Sequence, residues 1–197
     1  MSAREPLRQD PGSAPARVME VALRLFSEQG YFNTSIPDIV RASGVSTGSI
    51  YHHFGDKEGI ARALFDALVG RMEQELRRIE QAHPDTRSRC RAVVELLFRI
   101  TEEEPATMEF MLFARHREFM PAVAPVCSSR PFRHMREMIV AGIDAGEIRP
   151  MDPMVAAALV FGSALRLVSL RLDGLLEDPP AAHLEELWTC AWRAVAP

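Results

Sequence analysis

Gly44-Val45-Ser46-Thr47-Gly48 has the spacing Gly-x-Ser-x-Gly, which in α/β-hydrolases sets a nucleophilic serine on a strained turn between a strand and a helix. The residues ahead of it, Ile36, Ile39 and Val40, recur at helical spacing, so no strand leads into the serine and that chemistry is not expected. Asn33-Thr34-Ser35 has the form of a glycosylation acceptor, which matters only in a secreted chain. His52 and His53 are adjacent and are expected to point apart on a helix. No His-x-x-x-His pair accompanies them, so no metal site is expected. There is no glycine-rich phosphate loop either. The expectation is a protein that is not an enzyme and holds no metal and no cofactor.

Another chemistry fits the same stretch. Thr34, Ser35, Thr47, Gly48, Ser49, Tyr51, His52, His53 and Lys57 offer short hydroxyls, imidazoles, bare backbone and one ammonium, the groups that bond phosphate oxygens and base edges. The elements that must position them are helices. Val18, Ala22, Leu25 and Phe26 set a first helix from Arg17, stopped at Gly30. Ser35 and Asp38 have capping-box spacing, opening a second helix that ends at Gly44. Ser46 caps a third helix through Phe54, and Asp56 caps a fourth that carries Ile60, Leu64, Phe65, Leu68 and Met72 to about Gln81. A tight turn at Gly44-Val45-Ser46 between an apolar-faced helix and a polar-fronted one is the pattern of a helix-turn-helix. Ile50 and Phe54 anchor the last helix, and Thr47, Gly48, Ser49, Tyr51 and His52 are left to enter a major groove.

The runs Val21-Ala22-Leu23-Arg24-Leu25-Phe26, Gly30-Tyr31-x-x-Thr34-Ser35-Ile36-x-Asp38-Ile39 and Ala42-x-Gly44-Val45-Ser46-x-Gly48-x-Ile50-Tyr51-x-His53-Phe54, closed by Lys57-Glu58, resemble the N-terminal domain of TetR/AcrR-family transcriptional regulators. Ile-Tyr-x-His-Phe followed by Lys-Glu has little reason to recur on other folds. The resemblance implies that Thr47, Gly48, Ser49 and His52 face bases. It implies that Tyr51, His53 and Lys57 contact phosphate, with Thr34 and Ser35 at the second helix N-terminus, where orphan N–H groups bind anions. No Arg, Asn or Gln stands at positions 47–49, so bidentate purine contacts are missing there. Readout is then expected through the thymine methyl and DNA shape.

The rest of the chain also reads as helical, over Arg87–Glu103, Pro105–Phe119, Pro131–Ala145, a long helix from Asp152-Pro153 to about Asp173, and 181–195. The expected fold is all-α, about nine helices: an N-terminal three-helix domain over 16–62 and a larger helical bundle over 63–197, after a disordered tail over 1–15. The larger part is rich in Met and Phe, side chains suited to varied apolar shapes. The resemblance implies an effector pocket there for a small molecule. Phe65, Met72, Leu97, Met108, Met111, Met138, Phe161 and Leu165 are its candidate liners, and Arg115, His134 and Arg166 are its candidate polar anchors. The helix from Asp152 is apolar almost all round and calls for cover on both sides. Leu159, Gly162, Ser163 and Arg166, with Leu184, Trp188 and Trp192 of the last helix, are the expected homodimer interface.

The 197 residues, 47% hydrophobic and 25% charged, suffice for a real core. Three cysteines without a Cys-x-x-Cys pair fit a reduced, cytoplasmic protein better than a disulfide scaffold. The N-terminus carries no signal-like apolar region. The longest predominantly apolar uncharged run, Pro153 to Leu165, is shorter than the roughly 20 residues of a membrane span. The net charge of −4 runs against the basic excess usual in a DNA-binder, and residues 1–60 hold six basic against seven acidic groups. A duplex DNA partner therefore has to be held by placement, with few full charges and a shallow salt dependence. A DNA-binder of this fold controlled by a protein partner or with an architectural role, without a small-molecule ligand, is the alternative reading.

Overall fold

The computed structural model describes residues 12–114, 116–120 and 129–197, and among these every regular element is a helix. Nine helices of eight residues or more and the single turn α7 follow one another: α1 (Ala14–Gln29), α2 (Ile36–Ser43), α3 (Thr47–Phe54), α4 (Lys57–Ala82), α5 (Thr86–Glu103), α6 (Pro105–Phe113), α7 (His116–Phe119), α8 (Arg130–Asp144), α9 (Pro153–Leu172) and α10 (Leu184–Arg193). A 3-10 turn, Pro180–His183, leads into α10. Two expected boundaries moved. The single helix read over Pro105–Phe119 is two, broken at Ala114. Ala14 and Pro15 already belong to α1, which Ser13 caps by accepting from the Ala16 N–H; the rest of the expected tail, residues 1–11, lies outside the described residues.

Local chemistry starts and stops the early helices as the sequence requires. At α2 the capping box closes in both directions, the Ser35 hydroxyl accepting from the Asp38 N–H and the Asp38 carboxylate accepting from the Ser35 N–H. Gly44 ends α2 in the left-handed conformation (φ +67°), its N–H donating to Val40 O at 2.9 Å. A side chain there would be strained, and glycine adopts the conformation freely. Ser46 caps α3 through the Ser49 N–H, and Asp56 accepts the Gly59 N–H at the start of α4.

The chain divides into two compact units, the first holding residues 12–67 with 113–120, the second 68–112 with 129–197. In the first, α1, α2 and α3 pack on one another around Val18, Ala22, Ile39, Val45 and Ile50, all buried. In the second, α9 is the central element, covered by α5, α8 and α10. Its inward residues Ala156, Val160, Phe161, Ala164 and Val168 are buried with Val93, Leu97, Met138 and Trp188. By length and composition (20 residues, mean hydropathy 1.8) α9 would suffice to cross a membrane, and 28% of that stretch is buried in the bundle.

Candidate nucleic-acid interface and effector cavity

In the first unit, α3 is held by Ile50, which is fully buried, and by half-buried Phe54. Thr47, Gly48, Tyr51, His52 and His53 are exposed and Ser49 is half-buried, so this face of α3 carries hydroxyl, imidazole and phenol groups and one bare glycine. The His52 and His53 rings lie 5.2 Å apart, closer than neighbours pointing apart on a helix, which corrects the expectation. Among the described residues no group of His, Cys, Asp and Glu could hold a metal. Glu80 and His83 have the spacing Glu-x-x-His, which some metal sites use, but Glu80 turns to His134.

Three residues expected to meet phosphate are otherwise engaged. Thr34 is fully buried. Its hydroxyl donates to Gly30 O at 2.9 Å and its N–H to Tyr31 O at 3.2 Å, so neither donor is left for an anion. Lys57 Nζ donates to Tyr31 O and Thr34 O, each at 2.8 Å, and stands 4.2 Å over the Tyr31 ring. Burial lowers its pKa below the ordinary lysine value, and Tyr31 is raised by burial, then by Glu58 and Asp56. This ammonium closes a corner between the loop before α2 and the start of α4; it is not a free charge. Ser35 is exposed, yet its N–H and hydroxyl both meet Asp38. Those bonds, followed by Arg41, hold the Asp38 carboxyl below its usual range. The Tyr31 ring also stacks on Phe119 of α7 at 4.0 Å. Sequence spacing gave no sign of Phe119 at this corner, because it comes from 88 residues away.

In the second unit, α4, α5, α6, α8 and α9 line an apolar cavity of about 50 Å³, open at its mouth. Of the candidate liners it brings together Met72, Leu97, Met108, Met111 and Leu165. Met138 and Phe161 fill the core instead, Phe65 belongs to the first unit, and Arg115 lies outside the described residues. His134 is no anchor for a ligand: its Nδ1 faces Glu73 Oε1 at 2.9 Å and its Nε2 faces Glu80 Oε2 at 3.2 Å. Arg166 is exposed. The sequence reading missed Leu68 and Ile100, the polar Ser129, and the pair Phe132 and Met135 on α8. The α8 residues could have been found, since Phe132 and Met135 are one turn apart on a helix rich in Met. Arg71 at the cavity pairs with Glu104 at 2.7 Å.

The outward side of α9 is apolar and open: Met154 is 58% and Val155 50% exposed, with Leu159 and Ser163 also exposed and Gly162 half-buried. Trp188, expected at the interface, is 2% exposed in the core and stacks on half-buried Trp192. The reason is geometric, since the turns of α10 that carry the indoles face α5 and α9. Leu184 is half-buried and packs against the same core.

Comparison with known proteins matches residues 18–64 to the family model described as bacterial regulatory proteins, tetR family. Residues 65–196 match the tetracyclin repressor-like C-terminal domain. The HTH-type transcriptional regulator HbdR of Aromatoleum sp. (strain CIB) is 39% identical over 94 residues, 47% of this chain and 41% of that protein. The chain therefore spans less than half of that relative. The HTH-type transcriptional regulator BetI of Rhizobium meliloti is 29% identical over 176 residues, 86% of this chain and 83% of that protein. Among solved structures, FadR of Bacillus subtilis in complex with stearoyl-CoA superposes with a TM-score of 0.74 at 19% identity, covering 89% of this chain and 96% of that one, a likeness of fold.

Proposed function

The chain belongs to the TetR family of bacterial regulatory proteins, and from that premise we propose that it is a homodimeric repressor released from a near-palindromic operator by a small apolar molecule. Members of the family are DNA-binding transcriptional regulators and not enzymes. The observation that carries the reading is α3, whose Ile50 is locked in the core while Thr47, Gly48, Tyr51, His52 and His53 stand exposed. A helix fixed on one side and polar on the other is what a major groove accepts. In this reading Thr47, Gly48, Ser49 and His52 meet bases, and Tyr51 and His53 meet phosphate. Lys57 and Thr34 position the helices, and the exposed α9 face, Val155, Leu159 and Ser163, meets its copy across a two-fold axis.

The effector reading rests on the apolar cavity, which favours a small molecule over a protein partner as the controlling ligand. FadR of Bacillus subtilis, of the same fold, holds stearoyl-CoA. Two of the five helices that line the cavity continue into the first unit, α4 toward its N-terminus at Lys57 and α6 beyond Leu112. An effector that binds one arrangement of these segments better than the other shifts the population away from the DNA-binding state.

Selection of bound fragments from genomic DNA, followed by release assays with a small-molecule library, tests the proposal. It expects a near-palindromic site with half-sites one helical turn apart and at least one apolar compound that releases it. Thr47→Ala is expected to relax discrimination between operator variants while overall binding persists. Failure to enrich any sequence overturns the reading.

A further inference from the structure

Ser129 lines the apolar cavity and is 8% exposed. Its hydroxyl oxygen is buried and has no hydrogen-bond partner among the described residues. It sits at the N-cap of α8 yet makes no side-chain cap bond there. A buried hydroxyl left unpaired is destabilising, and at a helix start the usual remedy, capping, is within reach. Here that remedy is not taken. The first turn of α8 also holds N–H groups of Arg130 and Phe132 that no intrahelical carbonyl can accept, while Pro131 has none to give. The polar end of the cavity is thus a hydroxyl beside a helix N-terminus, a set of neutral donors.

Among the described residues, the rest of the lining is apolar or already paired. Met72, Leu97, Met108 and Met135 form its body. The two charged residues that line it are both paired, Arg71 with Glu104 and Glu75 with Arg78. A ligand with a full charge would be desolvated among apolar side chains, with only the partial positive charge of the α8 N-terminus to offset that cost. We propose that the cavity receives an apolar molecule bearing one neutral carbonyl oxygen, which accepts the Ser129 hydroxyl at the start of α8. This rests on the reading of the second unit as effector-binding and adds the chemical class of the effector.

Butylbenzene, butyrophenone and 4-phenylbutyrate share one apolar body and differ in carrying no oxygen, a neutral carbonyl or a carboxylate. Their affinities for the full chain and for Ser129→Ala are to be measured by calorimetry or thermal shift. Ser129→Ala removes an unpaired hydroxyl, so the variant is expected to melt no lower than the parent. Butyrophenone is expected to bind the parent more tightly than the other two and to lose about 5–10-fold in affinity in Ser129→Ala. Butylbenzene is expected to change less than about twofold. Equal losses for both, no loss for butyrophenone, no binding of butyrophenone, or tighter binding of 4-phenylbutyrate each overturn the inference. DNA binding of both proteins is followed in parallel on the selected fragments. Loss of DNA binding by the parent chain sinks the regulator reading, whereas intact DNA binding with any overturning result above sinks only this inference.

Discussion

Thr34 and Lys57 form a corner rather than a phosphate clamp, and the distinction has measurable consequences. Thr34→Val keeps the volume but leaves Gly30 O without the hydroxyl it accepts. It is expected to lower stability by about 1–2 kcal/mol in urea titration. The slope of log K against log salt for DNA should stay as in the parent, because no phosphate contact is lost. Lys57→Gln should behave alike, since the ammonium is spent on two carbonyls. Of the three cysteines, the two among the described residues separate by burial in the same way. Burial pushes the Cys90 thiol up to about 12, whereas Cys190 is exposed. The thiolate is the reactive form, so brief iodoacetamide treatment at pH 8 is expected to alkylate Cys190 and spare Cys90 until denaturant is added. Peptide mass mapping reads both positions.

At the scale of elements, two glycines, Gly48 at the start of α3 and Gly59 in the first turn of α4, have opposite reasons to be there. A Cβ on Gly48 would meet nothing within 4 Å, so the fold does not require a glycine. Gly48→Ala is expected to stabilise the chain by up to about 1 kcal/mol. If the bare backbone approaches a base, as proposed, the same methyl weakens DNA binding, so stability and affinity move in opposite directions. Gly59 is the reverse case. Its Cβ would lie 1.8 Å from Phe54 O, so Gly59→Ala forces the α3–α4 turn apart and is expected to cost about 1–3 kcal/mol or more, with DNA binding lost alongside. Thermal melts and anisotropy titrations of the pair check both statements. The capping box of α2, the glycine that ends it and the cap of α3 were legible in the sequence, because each depends on residues within four positions. The corner built by Tyr31, Lys57 and Phe119 was not, because its partners are distant in the chain.

For the molecule as a whole, the outward face of α9 is the largest decision left to assembly. Exposed apolar side chains in a contiguous row mark an interaction surface, and Val155→Glu with Leu159→Glu is expected to turn a dimer into a monomer. Light scattering after size exclusion measures the mass, and an unchanged far-UV spectrum shows that the bundle persists, since neither side chain fills the core. Charge also acts at this scale. With Lys57 turned inward and exposed Arg41 paired with Asp38, Arg17 and Arg24 are the basic side chains left between residues 12 and 60, about two full charges per protomer to offer phosphates. A dimer is then expected to show a log–log salt slope of about −4. A slope twice as steep would refute the placement of these charges.

The sequence by itself determined the helices, their caps and the helix-turn-helix, because periodicity and capping are properties of short windows. It also determined that any grip on DNA must rely on placement, because the count of charges is independent of fold. Only the tertiary structure decided which helical face is spare. Trp188 and Leu159 look alike as interface candidates in an amphipathic pattern, yet one is buried by α5 and α9 and the other is left exposed. It likewise decided that Thr34 is structural and that Ser129 is buried beside an apolar space, since a hydroxyl's role depends on which distant carbonyls come within hydrogen-bond reach of it. Local pattern sets what a residue can do, and packing sets which of those options remains open.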